Sequence, residues 1–280
     1  MSITATGTSG LTASPSHGPR HRSGTGTTFT RWLGVVTLIG IAWLVFFGLF
    51  VSPPDQIQRD SVRMMYIHVP TAWLAYLAFI VTAVASAAYL WTRTRSLTWD
   101  RIAGASAEIG VLFTALTLVL GALWGRPVWG IWWAWDARLV TTAVLFFLYL
   151  GYLALRRVPA APDTRAKRCA IAALVAFADV PIVHFSVTWW RTLHQDGTVF
   201  NEELSAHIHG VMAFTLWFGV FAFTLLFVYL LDRRYRLLAL EEQREEREVE
   251  QAIAERIGAP GAPSTPPAPP TPPVEVGASG

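Results

Sequence analysis

Five tryptophans crowd one short segment of this chain, which reads Trp124-Gly125-Arg126-Pro127-Val128-Trp129-Gly130-Ile131-Trp132-Trp133-Ala134-Trp135-Asp136-Ala137-Arg138. The whole chain has only 13 tryptophans in 280 residues, so an even spread would place fewer than one in a stretch of this length. An indole joins a large flat apolar surface to a single N–H donor. The segment therefore suits either a membrane interface or a flat, mostly apolar ligand, and the embedded Asp136, Arg126 and Arg138 exceed what an aromatic belt needs.

Two histidines are candidate metal ligands near this segment. His68 comes just before one long apolar run, and His194 follows another, four residues after Trp190. Neutral imidazole is the usual protein ligand of haem iron. Both histidines are expected at the membrane level of the tryptophans although they lie 126 positions apart. This convergence predicts that they face one site.

A third histidine, His184, lies inside an apolar run together with Asp179 and Pro181, and the proline is expected to bend that helix. An ionisable group inside a membrane is costly and usually faces the interior of a helix bundle or another polar group. Two interpretations stay open for His184: a structural role that supports the site, and a direct role as ligand or relay.

Six apolar runs must position these residues, and the composition indicates that they cross a membrane. The chain is 53% hydrophobic and 15% charged, with a mean hydropathy of +0.40, which is too apolar for an ordinary soluble domain. Each run is near the roughly 20 residues that a helix needs to cross a hydrocarbon core, and the alternation typical of a membrane barrel is absent. We predict an all-α integral membrane bundle of six transmembrane helices, at about residues 32–51, 72–92, 106–124, 139–155, 170–190 and 208–231.

The tryptophan segment joins the third and fourth predicted spans and is too short to cross the bilayer and return. We therefore expect it to lie along the outer surface as an interfacial platform. Gly125, Pro127 and Gly130 are expected to interrupt regular helix, and the aromatic rings at positions 129 to 135 are expected to share one face of a short interfacial helix. Trp73 is expected in the ordinary aromatic belt.

The distribution of Lys and Arg predicts the orientation. Basic residues cluster before the first span, between the second and third, between the fourth and fifth, and after the sixth. Since such residues accumulate on the cytoplasmic side, both termini are predicted to be cytoplasmic in a multi-pass inner-membrane protein whose tryptophan segment faces the periplasmic or outer side. The net charge of +3 is then explained by membrane lipid, and nucleic acid is not an expected partner.

Three regions follow from this organisation. Residues 1–30 are predicted to be a disordered cytoplasmic arm, residues 31–232 the six-helix transmembrane domain, and residues 233–280 a charged helical and Pro-rich cytoplasmic tail. The only cysteine, Cys169, excludes a disulfide within the chain and the two-cysteine motif that attaches haem covalently.

The tryptophan segment resembles the signature of the cytochrome c biogenesis protein C family, also called haem exporter protein C or CcmC. Nine signature positions match, and Val140 stands where the family pattern ends in Thr. The matching residues are Trp124, Gly125, Trp129, Gly130, Trp133, Trp135, Asp136, Arg138 and Leu139. The resemblance continues through residues 64–70 and 181–195, and it covers roughly residues 32–230.

The resemblance implies a membrane protein that handles haem without being an enzyme. In this family the two outer-loop histidines are the axial haem ligands, a role that falls here on His68 and His194. The implied cargo is haem b, held non-covalently and transiently at the outer face and passed to the haem chaperone CcmE. The other implied partners are the ABC transporter subunits CcmA and CcmB and the small subunit CcmD.

The residues suggest how such a site would work. We expect Trp124, Trp129, Trp132, Trp133 and Trp135 to bury the edges of the macrocycle, while two imidazoles saturate the iron. Either Arg126 or Arg138 is expected to pair with a propionate, and Asp136 to orient Arg138 or the loop. The sequence does not decide between the two arginines.

Two alternatives belong to different classes. A b-type cytochrome subunit for electron transfer would use histidine pairs within helices at membrane depth. Another tryptophan-motif haem handler, either the larger haem-handling protein of the same pathway or the cytochrome c synthase of the alternative assembly system, would have more helices and further histidines. Six spans in 280 residues favour the smaller protein.

Overall fold

The computed structural model describes residues 26–194 and 208–258. Within these ranges the chain is a bundle of helices, and the only strand-like pairing is an isolated bridge between Asp55 and Arg59. The helices are α1 (Thr28–Phe46), which continues as a π-helical turn (Phe47–Val51), a 3-10 turn (Asp60–Met64), α2 (Met65–Leu90), α3 (Leu97–Trp129), α4 (Ala137–Arg156), α5 (Pro162–Phe177), α6 (Asp179–Trp189) and α7 (Gly210–Gly258).

Six of the resulting segments are long and apolar enough to cross a membrane, which confirms the predicted all-α six-span bundle. They are Thr28–Val51, Asp60–Leu90, Leu97–Trp129, Ala137–Arg156, Pro162–Trp189 and Gly210–Ile257. Several helices begin earlier than the apolar runs indicate, because polar first turns are helical too: Ser96 caps the start of α3 by accepting a hydrogen bond from Thr98 N.

The fifth span is broken into α5 and α6 at Ala178. The bend was expected at Pro181 itself, but the interruption lies three residues earlier. Proline has no N–H to donate to the carbonyl four positions before it, and for Pro181 that carbonyl belongs to Phe177, the last residue of α5. The helix is therefore interrupted next to the carbonyl that receives no hydrogen bond from residue 181.

Helix α2 lies in the middle of the bundle and packs against α3, α5 and α7, while α1 packs on α7 and α4 packs on α3, α5 and α6. The contact between α2 and α3 is close at Gly110, where an added Cβ would collide with the Phe79 ring. That ring is fully buried and stacks on Tyr149 of α4 at 3.8 Å between centroids. A glycine on α3 thus lets one aromatic pair join three helices.

Ion pairs join the helices at the end of the bundle that holds the α2–α3 connection. Asp100, which is only 4% exposed, accepts two hydrogen bonds from the Arg156 guanidinium, at 2.6 and 3.0 Å. Glu242 on α7 pairs with Arg101 at 2.9 Å and with Arg165 at 3.4 Å. These contacts fix the C-terminal part of α7 to α3 and α5. Helix α7 crosses residue 232 without a break and continues through the charged stretch to Gly258.

Candidate functional site

One cavity at the other end of the bundle collects most of the candidate site residues. Its volume is about 310 Å³, and its walls come from α2, α3, α4 and α6 with a contribution from α7. The lining on α3 runs from Thr114 to Trp129, roughly 22 Å along the helix at 1.5 Å per residue. The cavity is therefore a cleft that reaches into the bundle, beyond the tryptophan segment itself.

His68 lies inside α2, in the first turn after Met65, rather than in a loop before the helix as the sequence suggested. The residue is only 9% exposed, and its Nδ1 has no hydrogen-bond partner among the described residues. The ring packs closely on α3, because a Cβ added to Gly121 would lie 3.2 Å from His68 Cε1. The same ring meets Trp124 edge to face, at 5.6 Å between centroids. Helix packing therefore holds this imidazole against the cavity.

His194 reaches the same cavity from the non-helical segment that follows α6. Asp136 holds this segment, since its Oδ2 accepts from Thr192 Oγ1 at 2.8 Å and from Leu193 N at 3.3 Å. Thr192 Oγ1 in turn accepts from His194 N at 3.0 Å, and the His194 ring meets Trp129 edge to face at 6.2 Å.

Asp136 has a second task at the start of α4. Its Oδ1 accepts from Leu139 N at 2.9 Å, which makes it the N-cap of that helix. One carboxylate therefore ties the position of α4 to the position of His194. Of the two roles expected for Asp136, the geometry supports the orientation of the loop.

Trp124 and Trp129 line the cavity from the last turns of α3. Helix α3 runs unbroken through Gly125 and Pro127 to Trp129, so the expected interruption at these two residues was wrong. Proline near a helix end loses a single hydrogen bond, which packing on neighbouring helices can offset. Gly130 does end the helix, with a φ of +79° that favours glycine.

Trp124 is held from the α1–α2 connection. Its Nε1 donates to Gln58 Oε1 at 3.0 Å, and Gln58 itself lines the cavity. Asp55 forms the turn that presents Gln58, because its Oδ1 accepts from Gln58 N at 2.7 Å and from Ile57 N at 2.8 Å. These two N–H donors hold the pKa of the Asp55 carboxyl below its usual value, and the N–H of Gln58 has the larger effect.

The remaining tryptophans of the segment do not line the cavity. Trp132, Trp133 and Trp135 are 57%, 37% and 86% exposed and lie in an irregular stretch, so the expected interfacial helix with a shared aromatic face was wrong. Arg126 does not line the cavity either. Its guanidinium donates to Gly130 O and lies over the Trp132 ring, at 5.9 Å from the centroid. We call Trp132, Trp133 and Trp135 the exposed aromatic rim.

Arg138 is the cation that faces the cavity. Its Nη2 donates to His184 O at 3.2 Å, and its Nε is buried without a partner among the described residues. His184 also lines the cavity, where its ring meets Tyr76 edge to face at 6.4 Å. Asp179 is buried, but it is not part of the lining.

The structure therefore brings His68, His194, His184, Trp124 and Trp129 together with Arg138, and it leaves Arg126 and the exposed aromatic rim outside. Asp136 lies behind His194 as its support.

Gln58, Tyr76 and Trp73 are among the lining residues that the sequence reasoning missed. Trp73 was assigned to the aromatic belt, but its Nε1 donates to Thr224 on α7 at 2.9 Å. Of the three, only Gln58 could have been suspected from the sequence, because it lies ten residues before the candidate ligand His68.

The chemistry of the lining is that of a site for a flat ligand. Three indoles and several aliphatic side chains supply apolar walls, the imidazoles supply metal-ligating nitrogens, and one guanidinium supplies a planar donor for an anionic group. A ligand that is flat, mostly apolar, carries a metal and bears a carboxylate would use all of these groups.

Comparison with known proteins points in the same direction. A family model described as heme exporter protein C matches residues 16–250. The heme exporter protein C of Haemophilus influenzae is 40% identical over 204 residues, which are 73% of this chain and 80% of that protein. That of Escherichia coli K12 is 34% identical over 230 residues, 81% of this chain and 91% of that protein. A putative cytochrome c biosynthesis ccmC-like mitochondrial protein of Arabidopsis thaliana is 35% identical over 209 residues, 75% of this chain and 78% of that protein.

Proposed function

This chain belongs to the heme exporter protein C family, and from that premise we propose that its cavity holds haem b non-covalently and delivers it to the haem chaperone CcmE. Membership makes the chain a multi-pass membrane component of cytochrome c maturation. The proposal adds the cargo's binding mode, its ligands and its recipient.

The observation that carries the proposal is that His68 and His194 line one and the same aromatic cavity, each with its ring against a tryptophan. A buried polar atom without a partner costs about 1 to 3 kcal/mol, and His68 Nδ1 is such an atom. A bound ligand that engages the imidazole would offset that cost. Two neutral imidazoles saturate haem iron and suppress oxygen chemistry, which suits carriage rather than catalysis.

Arg138 is our choice for a haem propionate. Arg138 lines the cavity, and its buried Nε has no hydrogen-bond partner among the described residues. Arg126 instead donates to Gly130 O, and its guanidinium lies over the Trp132 ring. A guanidinium and a carboxylate form strong, charge-assisted hydrogen bonds. The open choice between the two arginines is thereby resolved in favour of Arg138 within the proposal.

Release of haem follows from the unequal supports of the two histidines. His68 is fixed in a helix, while His194 sits on a short segment held through Thr192 and Asp136. We assign the first dissociation to His194, and we assign the docking of the chaperone to the exposed aromatic rim next to Asp136. A segment held by few hydrogen bonds yields more readily than a packed helix.

The setting of the site is part of the same proposal. From the distribution of Lys and Arg we infer that both termini lie in the cytoplasm of an inner-membrane protein and that the cavity faces the periplasmic or outer side. The partners besides CcmE are the transporter subunits CcmA and CcmB and the small subunit CcmD.

Absorption spectroscopy of the purified protein tests the ligands. Wild type should show a six-coordinate haem spectrum, and both His68→Ala and His194→Ala should lose it. His209→Ala is the matched control, because His209 is exposed and lies outside the cavity. Unaltered haem in both ligand variants would overturn the proposal. Loss in His68→Ala and His184→Ala, with none in His194→Ala, would instead favour an electron-transferring b-type site within the helices.

A further inference from the structure

A basic groove lies at the end of the bundle away from the haem cavity. Its volume is about 460 Å³, and it is formed by the end of α2, the α2–α3 connection and the first turns of α5. Tyr89 in the groove and His68 in the cavity are 21 residues apart on α2, roughly 32 Å at 1.5 Å per residue. The groove and the cavity are therefore separated by about the thickness of a hydrocarbon core.

Three cations line the groove and none of them is neutralised by a carboxylate. Arg95, Lys167 and Arg168 form no ion pair in the part of the chain that the structure describes. Arg168 Nη2 donates to the backbone carbonyls of Leu155 and Val158, and its Nε is buried without a partner. This contrasts with the arginines nearby on α3, α4 and α7, which pair with carboxylates.

The one acidic side chain in the groove is already engaged. Asp163 Oδ1 and Asp163 O both accept from the Tyr89 hydroxyl, each at 3.2 Å. The guanidinium of Arg95 lies over the ring of the same tyrosine, at 5.9 Å from its centroid. The hydroxyl of Tyr89 thus donates to Asp163, and its ring packs against the Arg95 guanidinium. Since three cations and one carboxylate line the groove, it has an excess of positive charge.

The face of α5 that carries these cations continues into the membrane as an apolar strip. Lys167, Ile171 and Val175 follow one another at intervals of four residues and so share one helical face. Ile171 is 49% exposed and Val175 is 67% exposed, within a segment long and apolar enough to cross the bilayer. The distance from Lys167 to Val175 along the helix is about 12 Å.

We propose that this groove binds one anionic phospholipid, with its head-group phosphate between Arg95, Lys167 and Arg168 and an acyl chain along Ile171 and Val175. Free phosphate would use only the cations, whereas a lipid uses both parts of the continuous face. Basic pockets between transmembrane helices are suited to acidic head groups. The bound lipid would join the α2–α3 connection to α5, next to the hydrogen bond by which Tyr89 of α2 already contacts Asp163 of α5.

Native mass spectrometry of the full-length protein, released from nanodiscs or detergent and titrated with short-chain phosphatidylglycerol or phosphatidylcholine, tests the site. Wild type should retain phosphatidylglycerol in preference to phosphatidylcholine. Because each cation near an anionic lipid surface contributes about 1 kcal/mol, the Arg95→Ala/Lys167→Ala variant should bind phosphatidylglycerol roughly thirty-fold more weakly.

The matched control is Arg93→Ala/Arg157→Ala, which removes the same charge from exposed residues at the same end of the bundle but outside the groove. This control should retain wild-type lipid binding. Ile171→Asn should weaken lipid binding without creating affinity for phosphate, and a thermal melt of each variant checks its fold.

Three results would overturn the proposal. The first is equal weakening in the groove variant and the control, which would mean a general surface charge effect. The second is equal retention of phosphatidylcholine and phosphatidylglycerol by wild type. The third is displacement of phosphatidylglycerol by inorganic phosphate at millimolar concentration, which would mean an anion site only. None of these measurements depends on haem, so the lipid site is tested independently of the proposed function.

Discussion

Replacing Asp136 with alanine should loosen His194 and weaken haem binding although Asp136 does not line the cavity. The substitution removes three hydrogen bonds at once: the N-cap bond from Leu139 N, the bond from Thr192 Oγ1 and the bond from Leu193 N. The first belongs to α4, and the other two hold the segment that carries the histidine. The prediction is that the two effects can be measured separately.

The expected magnitudes follow from these bonds. Loss of an N-cap costs about 1 kcal/mol of stability. The two bonds to the 192–194 segment contribute about 1 kcal/mol each, so roughly 2 kcal/mol no longer favours the position of His194. Haem binding by Asp136→Ala should therefore weaken by about thirty-fold, and the melting temperature should fall as well.

Haem titration followed in the Soret band, together with a thermal melt of the haem-free protein, is the assay. Thr192→Val is the matched variant, since it removes the hydroxyl between Asp136 and His194 N but leaves the cap of α4 in place. It removes two hydrogen bonds of the segment, worth about 1 kcal/mol each, so haem binding should weaken by about thirty-fold while the melting temperature stays near that of wild type. Added imidazole should restore the six-coordinate spectrum in both variants, as in His194→Ala.

The reasoning would be refuted by an Asp136→Ala protein that melts at a lower temperature and still binds haem with wild-type affinity and spectrum. Asp136 would then act only as a helix cap. A Thr192→Val protein indistinguishable from wild type in haem binding would remove the proposed link to His194.

Three further outcomes are expected. Arg138→Gln should weaken haem binding by about ten-fold or more through loss of a charge-assisted bond, while Arg126→Gln should change it little; equal effects in the same Soret titration would contradict the assignment of the propionate. Gln58→Leu should speed haem transfer to apomyoglobin about five-fold, because the indole of Trp124 loses its acceptor, and an unchanged rate would show that this bond is idle. The lowered pKa of Asp55 means that its turn is stabilised above the usual carboxyl pKa of 3.8 and loses that stabilisation as the pH falls through the lowered value. The difference in melting temperature between wild type and Asp55→Ala should thus be present at pH 7 and diminish as the pH falls below 3.8, and a difference that persists undiminished in acid would contradict the cause.

The six spans could be predicted from the sequence because they depend on length and hydropathy. His68 and His194, which the sequence predicts to face one site, line one cavity. The ends of the helices could not be predicted. Hydropathy falls where polar turns begin, but the backbone of α3 continues through Gly125 and Pro127 because the helix is packed against its neighbours. The break at Ala178 was misplaced for a related reason, since Pro181 acts on the carbonyl four residues before it.

The choice between Arg126 and Arg138 was beyond sequence reasoning for a different cause. Both are arginines in the same segment, and their directions depend on Gly130, which ends α3 and turns the chain before α4. Arg126 falls before this turn and bonds to the carbonyl of Gly130, whereas Arg138 falls after it on the first turn of α4. Gln58 was missed because its role depends on a contact with Trp124, 66 positions away.

The length of α7 gives the molecule a lever. Its 49 residues make a rod of roughly 72 Å, more than twice the thickness of a hydrocarbon core. In the described chain its outermost cross-helix ion pairs are those of Glu242, and about 24 Å of helix extends beyond them to Gly258. A force applied at that tip would pivot the helix about the ion pairs of Glu242 and would be transmitted to α1 and α2, which pack on α7. Because α2 also carries His68, a push at the tip of α7 has a stiff mechanical route to the cavity at the other end of the bundle.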